Sequence, residues 1–209
     1  MSRVTTNRVN TVDLLRGCAM KKRSERFVLG STGCIKVGAK ELFFNVKNMS
    51  VTGLLIEVKD NLQVKSEHEL YTLLGGKNCD INFHVFNPDV SGMATVVSVE
   101  LAQGRLIISL KFSALNFEDG FMVFKRRLPR KATQVQGRLY CHKQWYSFIG
   151  DDISLNGLSV KMAVPCPVSG GEWVTLEVPT LSLWGSARVK WSAPDDFRLG
   201  VEYISLTHN

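Results

Sequence analysis

Two arginines separated by three residues stand in a basic run near the middle of the chain. Arg126 and Arg130 belong to the sequence Lys125-Arg126-Arg127-Leu128-Pro129-Arg130. A guanidinium group is planar and presents paired N–H donors, so it can bind a phosphate or the O6/N7 edge of guanine through two hydrogen bonds. The run therefore predicts a site for an anionic ligand.

A second polar motif begins 22 positions after Arg130, where Asp152, Ser154 and Gly157 form the pattern D-x-S-x-x-G. The carboxylate can accept hydrogen bonds from N1 and N2 of guanine, and the hydroxyl can donate or accept. Gly157 permits the backbone to turn sharply. A ligand that contains both guanine and phosphate would need both motifs.

Together these motifs resemble those of the PilZ domain, the bacterial receptor module for cyclic di-GMP. The resemblance extends over residues 121–206 and implies a six-stranded antiparallel barrel that binds this ligand. The ligand-binding residues that it implies are Lys125, Arg126, Arg127, Arg130, Asp152, Ser154, Gly157 and Gly200. In the family, the residue before the first arginine influences whether one or two ligand molecules bind. Here that residue is a lysine, so the number of ligands stays open.

The two motifs occur twice, at a constant offset of 104 residues. The earlier copies are Lys22, Arg26, Asn48, Ser50 and Gly53. Lys22 stands where the first arginine should be, and loss of one bidentate group would remove about 1 kcal/mol or more of binding free energy. Asn48 lacks the charge of Asp152. The first copy is therefore predicted to be a degenerate domain with, at most, a weak second site.

The ends of the two copies match as well. Residues 94–99 and 107–112 predict a hairpin whose counterpart is 187–191 with 198–203, and Ser109 aligns with Gly200 at an offset of 91. The smaller offset gives the first copy about 13 extra residues, which turn signals place within 60–90. Agreement in motif, interval and hairpin indicates an internal duplication.

Apolar and polar residues alternate with period two through much of the chain, as in half-buried antiparallel strands. The predicted fold is all-β, with two tandem small antiparallel β-barrels of the PilZ-like split-barrel type and a short N-terminal helix or arm. The predicted divisions are an arm at 1–20, a degenerate PilZ-like domain at 21–115, a linker at 116–125 and a PilZ domain at 126–209. Residues 11–22 are the helix candidate. The four tryptophans, all in the second half, are expected in the barrel core, with nucleic-acid stacking as the alternative.

Composition limits the function further. A net charge of +7 over 209 residues, without a polybasic tail, suits an anionic ligand or a nucleic acid. Five scattered cysteines without a C-x-x-C pair predict reduced thiols and a cytoplasmic protein. The sequence predicts no metal site, no cofactor, no signal peptide and no membrane insertion. No catalytic arrangement accompanies the cysteines and histidines, so an enzyme is not expected.

The leading hypothesis is a non-enzymatic receptor in which cyclic di-GMP orders the arginine segment and changes the angle between the barrels. Its output would be altered contact with an unknown downstream protein, and the family resemblance implies control of motility, biofilm formation or virulence. Two alternatives stay open. One is a DNA-binding transcription regulator that responds to cyclic di-GMP, and the other is an adaptor that binds no nucleotide.

Overall fold

The computed structural model describes residues 25–60, 62, 64, 66–87, 89–117 and 129–208. Within these residues lie one α-helix, α1 (Glu67–Leu73), and two 3₁₀ turns, Pro179–Leu181 and Pro194–Asp196. The strands are β1 (Thr32–Val37), β2 (Lys40–Ser50), β3 (Gly53–Val58), β4 (Asp80–Phe86), β5 (Asp89–Ala102), β6 (Arg105–Phe117), β7 (Lys131–Ala132), β8 (Gln136–Cys141), β9 (Gln144–Ile153), β10 (Gly157–Met162), β11 (Trp173–Val178), β12 (Leu183–Ala193) and β13 (Arg198–His208). The predicted arm and the helix candidate at 11–22 lie outside the described residues.

The strands close into two antiparallel barrels. In the first, the order is β6-β3-β2-β1-β4-β5, and β5 pairs back onto β6. In the second, the order is β10-β9-β8-β11-β12-β13, and β13 pairs back onto β10. The short strand β7 pairs with β9. The prediction of an all-β fold with two tandem barrels is confirmed.

Period-two alternation sends one apolar face of each strand into the barrel interior. Ile35, Phe44 and Ile56 are fully buried in the first barrel, as are Leu139 and Leu176 in the second. Burial of these side chains is the dominant favourable contribution to folding. The interiors are therefore packed cores, and any ligand has to bind on the outside or between the barrels.

The two barrels repeat each other down to their irregularities. In β2, Lys47 is bulged out between Val46 and Asn48, and in β9 Asp151 is bulged out at the position 104 residues later. A second pair of bulges lies in β5 and β12, next to Ser109 and Gly200 respectively. A bulge inserts one unpaired residue at a specific position of a strand and is a feature that related domains keep. Bulges at matching positions therefore confirm the duplication and the alignment of Ser109 with Gly200.

The extra residues of the first copy lie in two places. The offset between copies falls from 104 at β3 to 93 at β4, and then to 91 at β6. Helix α1 occupies the first gap, inside the predicted stretch 60–90, whereas the remaining two residues lengthen the β5–β6 hairpin. The sequence reading missed α1, although Ser66, whose hydroxyl accepts from the backbone N–H of Glu69 at 3.2 Å, begins an S-x-x-E capping pattern.

The barrels are joined through β6 and β13, which pair antiparallel. Leu206 lies opposite Leu115, and the flanking pairs are Ser205 with Asn116 and Thr207 with Ala114. Leu115 and Leu206 are equivalent positions of the duplication, so the pairing has an approximate twofold axis between them. The barrels meet as the two halves of an isologous dimer do. β6 extends to Phe117, two residues into the predicted linker, and the predicted domain divisions otherwise stay predictions.

The expectation that the tryptophans lie in the core was wrong. Their exposed fractions range from 40% to 57%, for Trp145, Trp173, Trp184 and Trp191. Three of them stand at outward positions of regularly alternating strands. The fourth follows the bulge at Lys190, which reverses the inward and outward alternation after Val189. In the part of the chain that the structure describes, no helix is long and apolar enough to cross a membrane.

Candidate functional site

The two sequence motifs of the second half meet at one end of the second barrel. The guanidinium Nη1 of Arg130 donates a hydrogen bond of 2.8 Å to Oδ1 of Asp152. Strand β7 sets this geometry, because Ala132 pairs with Asp152 and so holds the arginine segment beside β9. Both side chains remain partly exposed, at 45% and 33%. A guanidinium has five N–H donors, so donors remain for a ligand.

Ser154 and Gly157 hold the turn that carries Asp152. The buried hydroxyl of Ser154 lies 3.0 Å from Oδ1 of Asn156 and 3.2 Å from the carbonyl oxygen of Gly157, and can donate to either. A β-carbon on Gly157 would collide with the carbonyl oxygen of Val201. The structure therefore gives both residues a role within the protein, and a direct contact of either with ligand stays a prediction.

Gly200 lies beneath an aromatic ring. A β-carbon at this position would overlap the indole of Trp191, which packs against Gly200 and is 40% exposed. The strand registers place Asp152, Ser159, Gly200 and Trp191 side by side across four neighbouring strands. Sequence reasoning missed Ser159 as a member of this row, because strand pairing at long range brings it there.

Two further residues lie close to the row. Burial raises the pKa of the Tyr203 phenol well above its usual range, while the charge of Arg130 lowers this pKa and that of Asp152 raises it. Beside the row, the guanidinium of Arg198 binds the bulged Asp151 at 2.7 Å, and this hydrogen bond raises the pKa of Arg198. The site is thus a charged rim around an exposed indole, over an apolar core.

Comparison with known proteins identifies the family of this barrel. Residues 124–209 match the sequence model of the PilZ domain. The second barrel is a PilZ domain. The first barrel lies outside the matched residues. No curated protein sequence matches the chain.

The solved structures to which the chain is similar include three bacterial proteins. PlzA of Borreliella burgdorferi, in complex with c-di-GMP, is 12% identical, with 88% of each chain covered and a TM-score of 0.35. MotI/DgrA, an inhibitor of motility from Bacillus subtilis, is 11% identical, with 88% of this chain and 89% of the other covered and a TM-score of 0.31. YcgR of Escherichia coli, in complex with c-di-GMP, is 14% identical, with 84% and 76% covered and a TM-score of 0.28.

The rest of the predicted PilZ site falls outside the described residues. Lys125, Arg126 and Arg127 belong to the segment 118–128, and Lys22 belongs to 1–24. The roles of these four residues stay predictions. Among the described residues, no group of three or more His, Cys, Asp or Glu side chains is arranged to hold a metal ion.

In the first barrel, the structure brings together four of the five residues of the predicted weak second site. Arg26, Asn48, Ser50 and Gly53 all line one cavity, of about 480 Å³. The turn repeats that of the PilZ domain: the hydroxyl of Ser50 lies 3.3 Å from the carbonyl oxygen of Gly53 and accepts from the backbone N–H of Thr52 at 3.2 Å. Phe27 bridges to Met49 as Lys131 pairs with Ile153. The duplicated scaffold is intact, so the two sites differ in side chains rather than in backbone.

Proposed function

We propose that this protein is a non-enzymatic receptor for cyclic di-GMP and that its PilZ domain holds the ligand. The observation that carries the proposal is the 2.8 Å contact between Arg130 and Asp152, which joins the phosphate-binding and guanine-binding motifs at one place. A guanidinium beside a carboxylate offers donors to phosphate oxygens or to guanine O6 and N7, and acceptors to guanine N1 and N2. Cyclic di-GMP carries all of these groups.

Each residue of the site has a distinct part in this proposal. Arg130 binds phosphate or the guanine edge, and Lys125, Arg126 and Arg127 add cations from the adjacent segment. Asp152 accepts from guanine, while Ser154 and Gly157 hold its turn. Trp191, seated on Gly200 and 40% exposed, offers a face on which a base can stack, an interaction worth about 1–3 kcal/mol.

The position of the arginine segment suggests how binding reaches the rest of the protein. Lys131, next to Arg130, donates a hydrogen bond of 2.6 Å to the backbone carbonyl of Arg26 in the other barrel. A ligand that moves Arg130 therefore acts on a contact between barrels and changes the angle between them. We propose that a downstream protein reads this change in the cytoplasm, and that the outputs are motility, biofilm formation or virulence.

The test is isothermal titration calorimetry of cyclic di-GMP into the full-length protein. We expect micromolar or tighter binding that Arg130→Ala abolishes. Arg26→Ala, the equivalent position of the first barrel, is the matched control and should retain binding, and GTP should give no comparable heat. Absence of binding to the unaltered protein would favour an adaptor without a nucleotide ligand. Equal losses in the two variants would also contradict the assignment to the PilZ domain.

A DNA-binding regulator that responds to cyclic di-GMP is the second candidate. It is favoured by the net charge of +7 and by arginines over exposed indoles, with Arg138 4.5 Å from the ring of Trp145 and Arg188 5.0 Å from that of Trp173. Arginine and aromatic rings together suit nucleic-acid binding. A DNA mobility shift that needs cyclic di-GMP and weakens with salt would support this candidate. No shift at low salt would remove it.

A further inference from the structure

The cavity of the first barrel is completed by the second. Its floor is formed by strands of the first barrel, with Asn48, Ser98, Ser109 and Lys111 facing it. Its opposite wall comes from residues 180–182, at the end of the 3₁₀ turn, and from His208 at the end of β13. With a volume of about 480 Å³, it is large enough for a small organic anion. A ligand held there would touch both barrels.

The charge of this cavity differs from that of its duplicate. Arg26 and Lys111 line it, and none of its lining residues is an aspartate or glutamate. Neither cation forms an ion pair with a carboxylate among the residues that the structure describes. The equivalent positions in the PilZ domain, by contrast, include the acids Asp152 and Glu202, the latter 3.2 Å from Lys190. Duplication therefore left one site with two cations and no acid.

The shape has diverged as well. Ser98 occupies the position of Trp191, and Ser109 that of Gly200, in the same paired register. The first barrel thus has two small hydroxyl side chains where the PilZ domain has an indole. A base would find no indole to stack on at this row, whereas hydroxyl groups and the amide of Asn48 can donate to anionic oxygens. Loss of the indole also leaves open space between the barrels.

We propose that this cavity binds a compact phosphoanhydride, either inorganic pyrophosphate or the diphosphate of a nucleotide, and not a second cyclic dinucleotide. Arg26 and Lys111 supply the charge, Asn48, Ser98 and Ser109 supply hydrogen bonds, and residues 180–182 close the site. Two adjacent phosphate groups concentrate negative charge in a small volume, which suits unpaired cations. The proposal is independent of cyclic di-GMP binding by the PilZ domain.

The experiment is calorimetric titration of inorganic pyrophosphate, and separately of ADP, into the full-length protein, with and without saturating cyclic di-GMP. We expect one pyrophosphate per chain, with unchanged affinity when cyclic di-GMP is present. Lys111→Glu installs the acid of the duplicate and should weaken binding at least about ten-fold. Ser98→Trp installs its indole and should abolish binding. Lys40→Glu, at the exposed start of β2, is the control of equal charge and should bind normally.

Several results would overturn the proposal. Pyrophosphate and ADP could both give no heat, or Lys111→Glu and Lys40→Glu could behave alike. If cyclic di-GMP competes with pyrophosphate and still does so in Arg130→Ala, the cavity of the first barrel is instead a weak second site for the cyclic dinucleotide. Loss of pyrophosphate binding in Arg130→Ala alone would place the anion in the PilZ domain. If ADP binds more tightly than pyrophosphate, the ligand is a nucleotide; equal or weaker binding indicates the inorganic anion. Thermal unfolding of each variant without ligand shows whether it is folded.

Discussion

The ammonium group of Lys131 reaches from the second barrel to the first, where it donates to the carbonyl oxygen of Arg26 at 2.6 Å. It also lies 5.3 Å from the centre of the Phe27 ring and 3.5 Å from a carboxylate oxygen of Glu25. Lys131 and Phe27 are equivalent positions of the duplication. Contact between equivalent residues is expected near a twofold axis, so the segments that lead into the two sites meet at the junction of the barrels.

Replacing Lys131 should separate ligand binding from its effect on the barrels. Lys131→Ala removes three contacts, but the side chain of Lys131 is 44% exposed, so we expect a loss of about 1 kcal/mol or less in the free energy of unfolding. Affinity for cyclic di-GMP should stay within about three-fold, a difference of under 1 kcal/mol. Small-angle scattering should show a smaller change on adding the ligand than in the unaltered protein. A change of the same size in both would mean that Lys131 does not transmit it, and Lys36→Ala is the control.

The charge of Asp152 should matter more than its shape. Asp152→Asn reproduces the residue that stands at position 48 and removes a charged acceptor while keeping the size of the side chain. We expect affinity for cyclic di-GMP to fall about ten-fold or more, because charge-assisted hydrogen bonds contribute roughly 1.5–3 kcal/mol. Calorimetry of Asn48→Asp supplies the reciprocal control and should show no loss. Unchanged binding in Asp152→Asn would rule out a charged contact with guanine.

Gly200 should be needed because of the indole above it. In Gly200→Ala, the added methyl group would overlap Trp191, so the ring must move. We expect a change in tryptophan emission, weaker binding of cyclic di-GMP and a cost of about 1–3 kcal/mol in stability, as in overpacked sites. The double variant Gly200→Ala/Trp191→Ala should recover much of the stability but not the affinity. Additive losses in the double variant would show that the two positions act independently.

Mild acid should destabilise the junction through His208. Burial, with a smaller effect of Lys111, lowers the pKa of this imidazole from 6.5 to about 4; the backbone of Val51 and of Leu181 lies near and partly opposes the shift, without a hydrogen bond of good geometry. Between these values, the unfolded chain binds more protons than the folded one. Stability should therefore fall as the pH drops from about 6.5 towards 4, by roughly 1–3 kcal/mol.

Urea unfolding at a series of pH values tests this prediction. His208→Gln, which keeps a polar side chain but does not titrate, should flatten the dependence between pH 6.5 and 4. His68, which lies exposed in α1, provides the matched control through His68→Gln. If His208→Gln follows the unaltered protein through this range, another group is responsible.

The barrels and the meeting of Arg130 with Asp152 could be predicted from the sequence, because period-two alternation and motif spacing are local signals. The outward orientation of Trp191 could not be predicted. Alternation with Val189 indicates an inward side chain, and a single bulged residue reverses that indication without leaving a mark in the hydrophobic pattern. The cavity beside Lys111 could not be predicted either, since one of its walls comes from residues about 70–100 positions further along the chain.

The pairing of β6 with β13 limits how the protein can respond to a ligand. Three residue pairs of β-ladder cross the junction, so backbone pairing between β6 and β13 joins the barrels. Adjacent strands can vary in their mutual twist over roughly 10–35° without losing hydrogen bonds. Twisting of β6 relative to β13 can thus change the angle between the barrels while keeping this ladder, whereas moving the barrels apart would break it. Its amplitude would be set by how far two leucines, Leu115 and Leu206, can rotate about each other before the ladder breaks.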